Sequence, residues 1–197
     1  MENLLEELNK QLFLFINTNT GVNYNLDLAA IIIADYTAYL FLFIMLYTWF
    51  TNRKYETLYA GYAASLGLLI NQIIGLFYYH NRPFVDGLGI NILSHNVENS
   101  FPSDHTTLLI SITIIFMSFY TTKIVGKILL VLAILCSLSR IYCGVHYPFD
   151  IAGSIIVAGL SSLIIYNLRE KLIYINEKLI KIYNLVISKI NRLWLKS

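Results

Sequence analysis

Only 13% of the 197 residues are charged, 57% are hydrophobic, and the mean hydropathy is +0.62. That is too little charge and too much apolar surface for a water-facing shell around one core. A formal charge of +2 and scattered Lys and Arg residues exclude a nucleic-acid surface, while two cysteines without CxxC or zinc-ligand spacing exclude a disulfide scaffold and a zinc finger.

In chain order, Leu4, Leu5, Leu8, Leu12, Phe15 and Ile16 recur at helical spacing opposite Glu2, Glu6, Asn9 and Lys10, which predicts an amphipathic interfacial helix over the first twenty residues. Its acidic start is wrong for a cleaved secretory signal. Five apolar runs follow: 28–50, 57–79, 106–122, 124–142 and 151–168. They are apolar on every face and near the length of a bilayer, so they predict transmembrane helices rather than strands. Asp35, inside the first run, is expected to be a buried hydrogen-bonding residue, and Asn71 and Gln72 are expected to bond between helices. From Arg169 onward Lys178, Lys181, Lys189, Arg192 and Lys196 mark one face of an amphipathic tail expected to lie on the membrane. The fold class is therefore all-α: a polytopic bundle of about five spans, six if the first helix enters the bilayer, forming one domain over 1–197.

Orientation follows from the Lys and Arg distribution. With Arg53 and Lys54 inside, eleven of the fourteen basic residues are cytoplasmic and only Lys10, Arg82 and Arg140 are outside. The amino terminus is then external and the carboxyl terminus cytoplasmic. Every outer span end carries polar chemistry: Arg82-Pro83 after the second span, Pro102-Ser103-Asp104-His105 before the third, Arg140 and His146 after the fourth, and Asp150 at the fifth. Charge at membrane depth is expensive, so such a cluster points to a lined polar site.

The residue types point to phosphoryl transfer. Arg82 and Arg140 offer forked donors to phosphate oxygens. Ser103 opens a helix whose N-terminus favours an anion. His146 and Asp150 stand four apart, so the carboxylate can orient the imidazole, and His105 can serve as general acid. No carboxylate cluster offers a two-metal site, and no cofactor or metal is expected. His80 is read as an interfacial residue, His95 as a loop residue, and Cys136 and Cys143 as free thiols.

Arg82-Pro83, Ser100-Phe101-Pro102-Ser103-Asp104-His105 and Ser139-Arg140-x5-His146-x3-Asp150 together closely resemble the three signatures of the type 2 phosphatidic acid phosphatase family. Within it, the sequence looks like the bacterial undecaprenyl-diphosphatases associated with bacitracin resistance. The resemblance covers roughly 57–168, and the signatures themselves lie within 82–150. It implies His146 as nucleophile, Asp150 as its orienting partner, His105 as acid on the leaving group, and Arg82, Ser103 and Arg140 as phosphate ligands. Two positions depart from the family pattern. Gly75 stands where the first signature has a Lys, and Asp104 stands where the second usually has Gly. The implied activity is hydrolysis of undecaprenyl diphosphate at the outer face of a bacterial plasma membrane, with a polyprenyl diphosphate and the bilayer as partners. Another phospholipid or shorter prenyl diphosphate as substrate, and an anion transporter, are the competing readings.

Overall fold

The computed structural model describes residues 2–194 and contains, among them, six helices. They are α1 (Glu2–Asn17), α2 (Tyr24–Phe50), α3 (Lys54–Phe77), α4 (Asp104–Ser118), α5 (Lys123–Tyr142) and α6 (Pro148–Trp194). Helices α2, α3, α5 and α6 are long and apolar enough to cross a membrane. With 15 residues α4 is the short one, about 22 Å at 1.5 Å per residue.

Helix α4 sits at the centre, packed on α3, α5 and α6. Its Leu109, Ile112, Ile115 and Phe116 are buried with Ala60, Ala63 and Ala64 of α3, Leu129 and Ala133 of α5, and Ala158 of α6. Lipid supplies no hydrophobic drive between helices, so close approach and hydrogen bonds hold the bundle. At Gly67 a Cβ would stand 2.8 Å from Thr107 Cγ2 and 3.1 Å from Ser161 Oγ, which lets α3, α4 and α6 meet. Beside it Ser111 and Ser161 share a 3.3 Å hydrogen bond. The outward faces remain apolar, as with Ile32, Phe43 and Leu46 on α2 or Ile156 and Leu163 on α6.

The expected third span is shorter than its apolar run. Thr122 Oγ1 donates to the Phe116 carbonyl at 2.8 Å, satisfying an end-of-helix acceptor and closing α4 at Ser118. Arg53 donates to the Thr121 carbonyl, and the Thr121 hydroxyl bonds Glu56, so the α2–α3 and α4–α5 turns lie together at one end of the bundle. At the other end, Asn17 Nδ2 donates to the carbonyls of Ile90 (2.9 Å) and Tyr142 (2.7 Å), and its Oδ1 accepts from Ile90 N–H (2.7 Å).

Three expectations change in detail. Helix α1 is amphipathic as expected, but its apolar stripe faces away from the protein: Leu4, Leu5, Leu8, Leu12 and Phe15 are exposed, while Asn9, Phe13 and Asn17 are buried against the bundle. The basic tail is not a separate helix. It continues α6 without a break, holding α3 through Tyr62 Oη on Asn176 (2.9 Å) and meeting Trp49 and Lys54 through Tyr183; Lys196 lies outside the described residues. Asp35 is exposed on α2 rather than buried, because the face of α2 turned to the protein is Ala30, Ala34, Thr37 and Phe41.

Candidate active site

Four chain segments converge at the end of the bundle defined by Asn17. They are the loop 78–103, the N-terminus of α4, the C-terminus of α5, and the turn 143–147 into α6. The loop is stitched at its base by Asn99. Its Oδ1 accepts from His80 N–H at 2.8 Å, and its Nδ2 donates to the carbonyls of Tyr78 (3.0 Å) and Phe101 (2.9 Å). That clamp fixes Arg82 near one foot and Ser100 near the other.

The α5–α6 turn explains the spacing of Arg140, His146 and Asp150. Gly144 adopts φ +84°, the left-handed conformation that stops a helix, and its N–H bonds the Ile141 carbonyl at 3.0 Å. A Cβ there would meet the Ile90 carbonyl oxygen at 2.5 Å. Pro148 then starts α6, a position where its missing N–H costs nothing. Asp150, in the first turn, reaches back to accept from Tyr147 N–H at 2.8 Å, half of a capping box. His146 thus sits just ahead of the helix with Asp150 one turn on.

A cavity of about 360 Å³ opens here, walled by Gln72, Arg82, His95, Glu98, Asn99, Pro102, Asp104, His105, Arg140 and His146. Of the sequence-derived site residues it gathers Arg82, His105, Arg140 and His146 on one wall set. Asp150 lies behind His146 rather than on the wall. Ser103 caps α4, buried and with an unpartnered Oγ, and is not a wall residue. No lysine is among the wall residues, and a Cβ at Gly75 would approach Asn99 Nδ2 at 3.2 Å instead.

His146 is fully enclosed. Arg82 Nη1 lies 3.2 Å from its Nε2, while Ser100 Oγ and Asp150 Oδ2 each stand 3.4 Å from its Nδ1. A guanidinium can only donate, so Nε2 carries the lone pair and Nδ1 the proton that faces the carboxylate. Burial lowers the His146 pKa to about 3, against the opposing pull of Asp150, so the ring is neutral near neutral pH. Arg82 also donates to the carbonyls of Val145 (2.9 Å) and Asn99 (3.3 Å). Its Nε, together with Nε and Nη2 of Arg140, is buried without a hydrogen-bond partner. Each buried unpaired donor of this kind costs about 1–3 kcal/mol, more when charged. The set is arranged for an anion with several acceptor oxygens, and the α4 N-terminus, exposed through Pro102, Asp104 and His105, adds a favourable dipole.

Sequence reasoning missed several residues here. His95 lines the cavity with its ring centroid 6.5 Å from that of His146, and burial followed by Arg82 and Arg140 pushes its pKa down. Gln72 is also a wall residue, whereas Asn71 bonds between helices as expected, donating to Asp104 Oδ1 (2.8 Å) and Thr107 Oγ1 (3.0 Å). Ser100 donates to Asp150 Oδ2 at 2.5 Å. His80 contacts Asp150 Oδ1 at 3.3 Å. The available signal was that all four histidines fall between 80 and 146, on segments assigned to one membrane face. Cys136 and Cys143 are free and buried.

The chain as a whole is similar to known proteins. Residues 56–174 match the PAP2 superfamily. The chain is 31% identical over 188 residues to undecaprenyl-diphosphatase BcrC of Bacillus subtilis (strain 168), covering 94% of this chain and 96% of that one. It is 34% identical to the bacitracin transport permease protein BcrC of Bacillus licheniformis, covering 88% and 86%. Among solved structures, LpxE of Aquifex aeolicus superposes with a TM-score of 0.65 at 25% identity, over 81% of this chain and 95% of that one. A transmembrane PAP2-type phosphatidylglycerolphosphate phosphatase of Bacillus subtilis gives 0.67 at 18% identity, over 86% and 88%, and shares the fold.

Proposed function

The chain belongs to the PAP2 superfamily and is a multi-pass membrane lipid phosphatase, and from that premise we propose that it hydrolyses undecaprenyl diphosphate to undecaprenyl phosphate and phosphate at the outer membrane face. The observation that carries the chemistry is the placement of His146 on the cavity wall, with Arg82 Nη1 3.2 Å from its Nε2 and Asp150 Oδ2 3.4 Å from its Nδ1.

The terminal phosphate enters among Arg82, Arg140 and the α4 N-terminus, which Ser103 caps; these groups carry the charge that builds on the equatorial oxygens. His146 Nε2 attacks phosphorus. The N–P bond forms as the bridging P–O bond breaks, and His105 gives its proton to the departing undecaprenyl phosphate oxygen. Asp150 accepts from Nδ1–H and stabilises the positive phosphoimidazole. In the second half His105 takes a proton from water, whose oxygen attacks phosphorus and releases His146 with inorganic phosphate. The wall contributes guanidinium and imidazole groups with only Glu98 and Asp104 as carboxylates, which supports turnover in the presence of a chelator. The cluster of basic residues at the opposite end of the bundle supports the outward placement of the site. Residues 1–197 are read as one phosphatase domain, with the signatures within 82–150.

The undecaprenyl substrate is supported by the diphosphatase relative matched over 94% of this chain and 96% of that one. A transport role, which the name of the Bacillus licheniformis relative carries, leaves the His105, His146 and Asp150 arrangement without a task. A panel of undecaprenyl diphosphate, phosphatidylglycerophosphate, phosphatidate and farnesyl diphosphate at matched surface concentration tests the assignment. The highest kcat/KM is expected for undecaprenyl diphosphate; a monophosphate lipid turned over faster would reassign the substrate.

A further inference from the structure

Asp150 carries more than one imidazole. It is completely buried, and its Oδ2 is taken by Tyr147 N–H and the Ser100 hydroxyl, with His146 Nδ1 at 3.4 Å. A buried carboxylate needs a compensating charge. His146 cannot provide it and remain a nucleophile, because attack requires the neutral ring. Arg82 directs its partnered N–H groups to the Val145 and Asn99 carbonyls and to His146, Arg140 directs one to the Ala34 carbonyl, and neither guanidinium forms an ion pair with Asp150 among the described residues.

His80 meets the need. Its Nδ1 stands 3.3 Å from Asp150 Oδ1, two buried atoms that have no hydrogen-bond partner and face each other at ion-pair distance, and its Nε2 stands 3.5 Å from Glu6 Oε2 on α1. A ring with a carboxylate oxygen at each nitrogen is matched only by the doubly protonated form, since a carboxylate offers no donor. The titratable or charged groups facing it are Glu6 from α1, Asp150 from α6, Tyr147 from the turn before α6 (ring centroids 5.1 Å apart) and Tyr78 of its own loop (6.2 Å). Asp150 and His80 line a second cavity, of about 310 Å³, distinct from the wall of the first and shared with Glu6, Asn9, Tyr78, Phe101 and Phe149. His80 therefore has its own route to solvent protons.

We propose that His80 is a positioning residue for the reaction: as an imidazolium clamped between Glu6 and Asp150 it balances the Asp150 charge, keeps that carboxylate ionised and aimed at His146 Nδ1, and makes α1 part of the catalytic assembly. This rests on the phosphatase reading above. The Asp150 carboxylate beside it raises the His80 pKa above its ordinary value and Glu6 adds to the rise.

The test uses the full chain in detergent with undecaprenyl diphosphate. Because His80 acts through Asp150, His80→Asn should lower kcat about tenfold, the equivalent of one pKa unit of interaction, with KM within twofold of the parent. Glu6→Gln, a change at a partly exposed side chain, should keep the kcat plateau at low pH and move the alkaline limb of kcat to lower pH. A purely structural role would alter melting or KM and leave that limb in place. Parent-like kcat in His80→Asn, or an unmoved alkaline limb in Glu6→Gln, overturns the proposal. A second readout does not depend on turnover. In protein labelled with 15N-histidine, whose four histidines are assigned by single substitutions, one ring assigned to His80 should be protonated on both nitrogens at pH 7 and lose that proton at lower pH in Glu6→Gln. If no lipid is hydrolysed by the parent, the phosphatase reading fails while this spectrum still decides the clamp; a neutral His80 at pH 7 refutes it.

Discussion

Replacing Asp150 by Asn keeps the volume of the side chain and removes its charge. Its Oδ1 can still accept one hydrogen bond, but an amide NH2 at the second position faces Tyr147 N–H, the Ser100 hydroxyl and His146 Nδ1–H, or else His80. The positive phosphoimidazole then loses one charge-assisted partner. Such a hydrogen bond contributes about 1.5–3 kcal/mol, and at 1.36 kcal/mol per factor of ten kcat should fall roughly ten- to 150-fold. KM should stay close to the parent, because Asp150 does not line the phosphate cavity. His146→Ala removes the attacking atom and should be far more severe. The assay is continuous phosphate release from undecaprenyl diphosphate in detergent, with both variants checked for a parent-like elution volume. Parent-like kcat in Asp150→Asn, or a loss confined to KM, would refute the His146–Asp150 pairing.

Arg140→Lys replaces a fork with two unpartnered nitrogens, Nε and Nη2, by a single ammonium; KM should rise about tenfold or more, measured in the same assay, with a smaller change in kcat. Gly67→Ala places a methyl 2.8 Å from Thr107 Cγ2 between three helices, costing about 1–3 kcal/mol as overpacking, seen as a lower midpoint in a detergent melt. Burial holds the His146 pKa down to about 3 from an unfolded 6.5, so the unfolded chain binds the extra proton; this group's contribution makes stability decline as pH falls from 6.5 toward 3, and denaturant titrations at pH 7 and pH 5 should show it. For orientation, Val97→Cys on the site loop, where the native side chain is 68% exposed, should react with an impermeant thiol reagent on intact cells, whereas Tyr120→Cys at the opposite turn, 95% exposed in the native chain, should not. The reverse labelling pattern would place the site inside.

The parts of the molecule legible in sequence are those set by local periodicity. Runs apolar on every face became α2, α3, α5 and the first part of α6, and the phosphate-directed residues could be grouped because antiparallel packing brings alternate span ends together. His146 and Asp150 were legible for a further reason: they stand four apart, the spacing of one helical turn or its entry, and α6 begins between them at Pro148. The contributions of His80, His95 and Ser100 were not legible, since they depend on the path of a 26-residue connection (78–103) whose shape comes from Asn99 and from Asn17 on a distant helix. No short-range pattern encodes hydrogen bonds spanning 73 positions. The tail was misread because an amphipathic pattern is the same whether a helix starts anew or continues, and no Pro or Gly interrupts α6 after Gly159. Asp35 was misread because a charge inside an apolar run says nothing of which face it occupies, and here Ala34 and Thr37, not Asp35, turn inward.

The central claim is that a lipid diphosphate loses its terminal phosphate to His146. It is tested most directly by phosphate release from undecaprenyl diphosphate with purified parent protein and His146→Ala in detergent containing EDTA. Sustained release by the parent and none by the folded His146→Ala protein is the expected result; equal release by both would contradict the nucleophile, and silence in both would contradict the substrate.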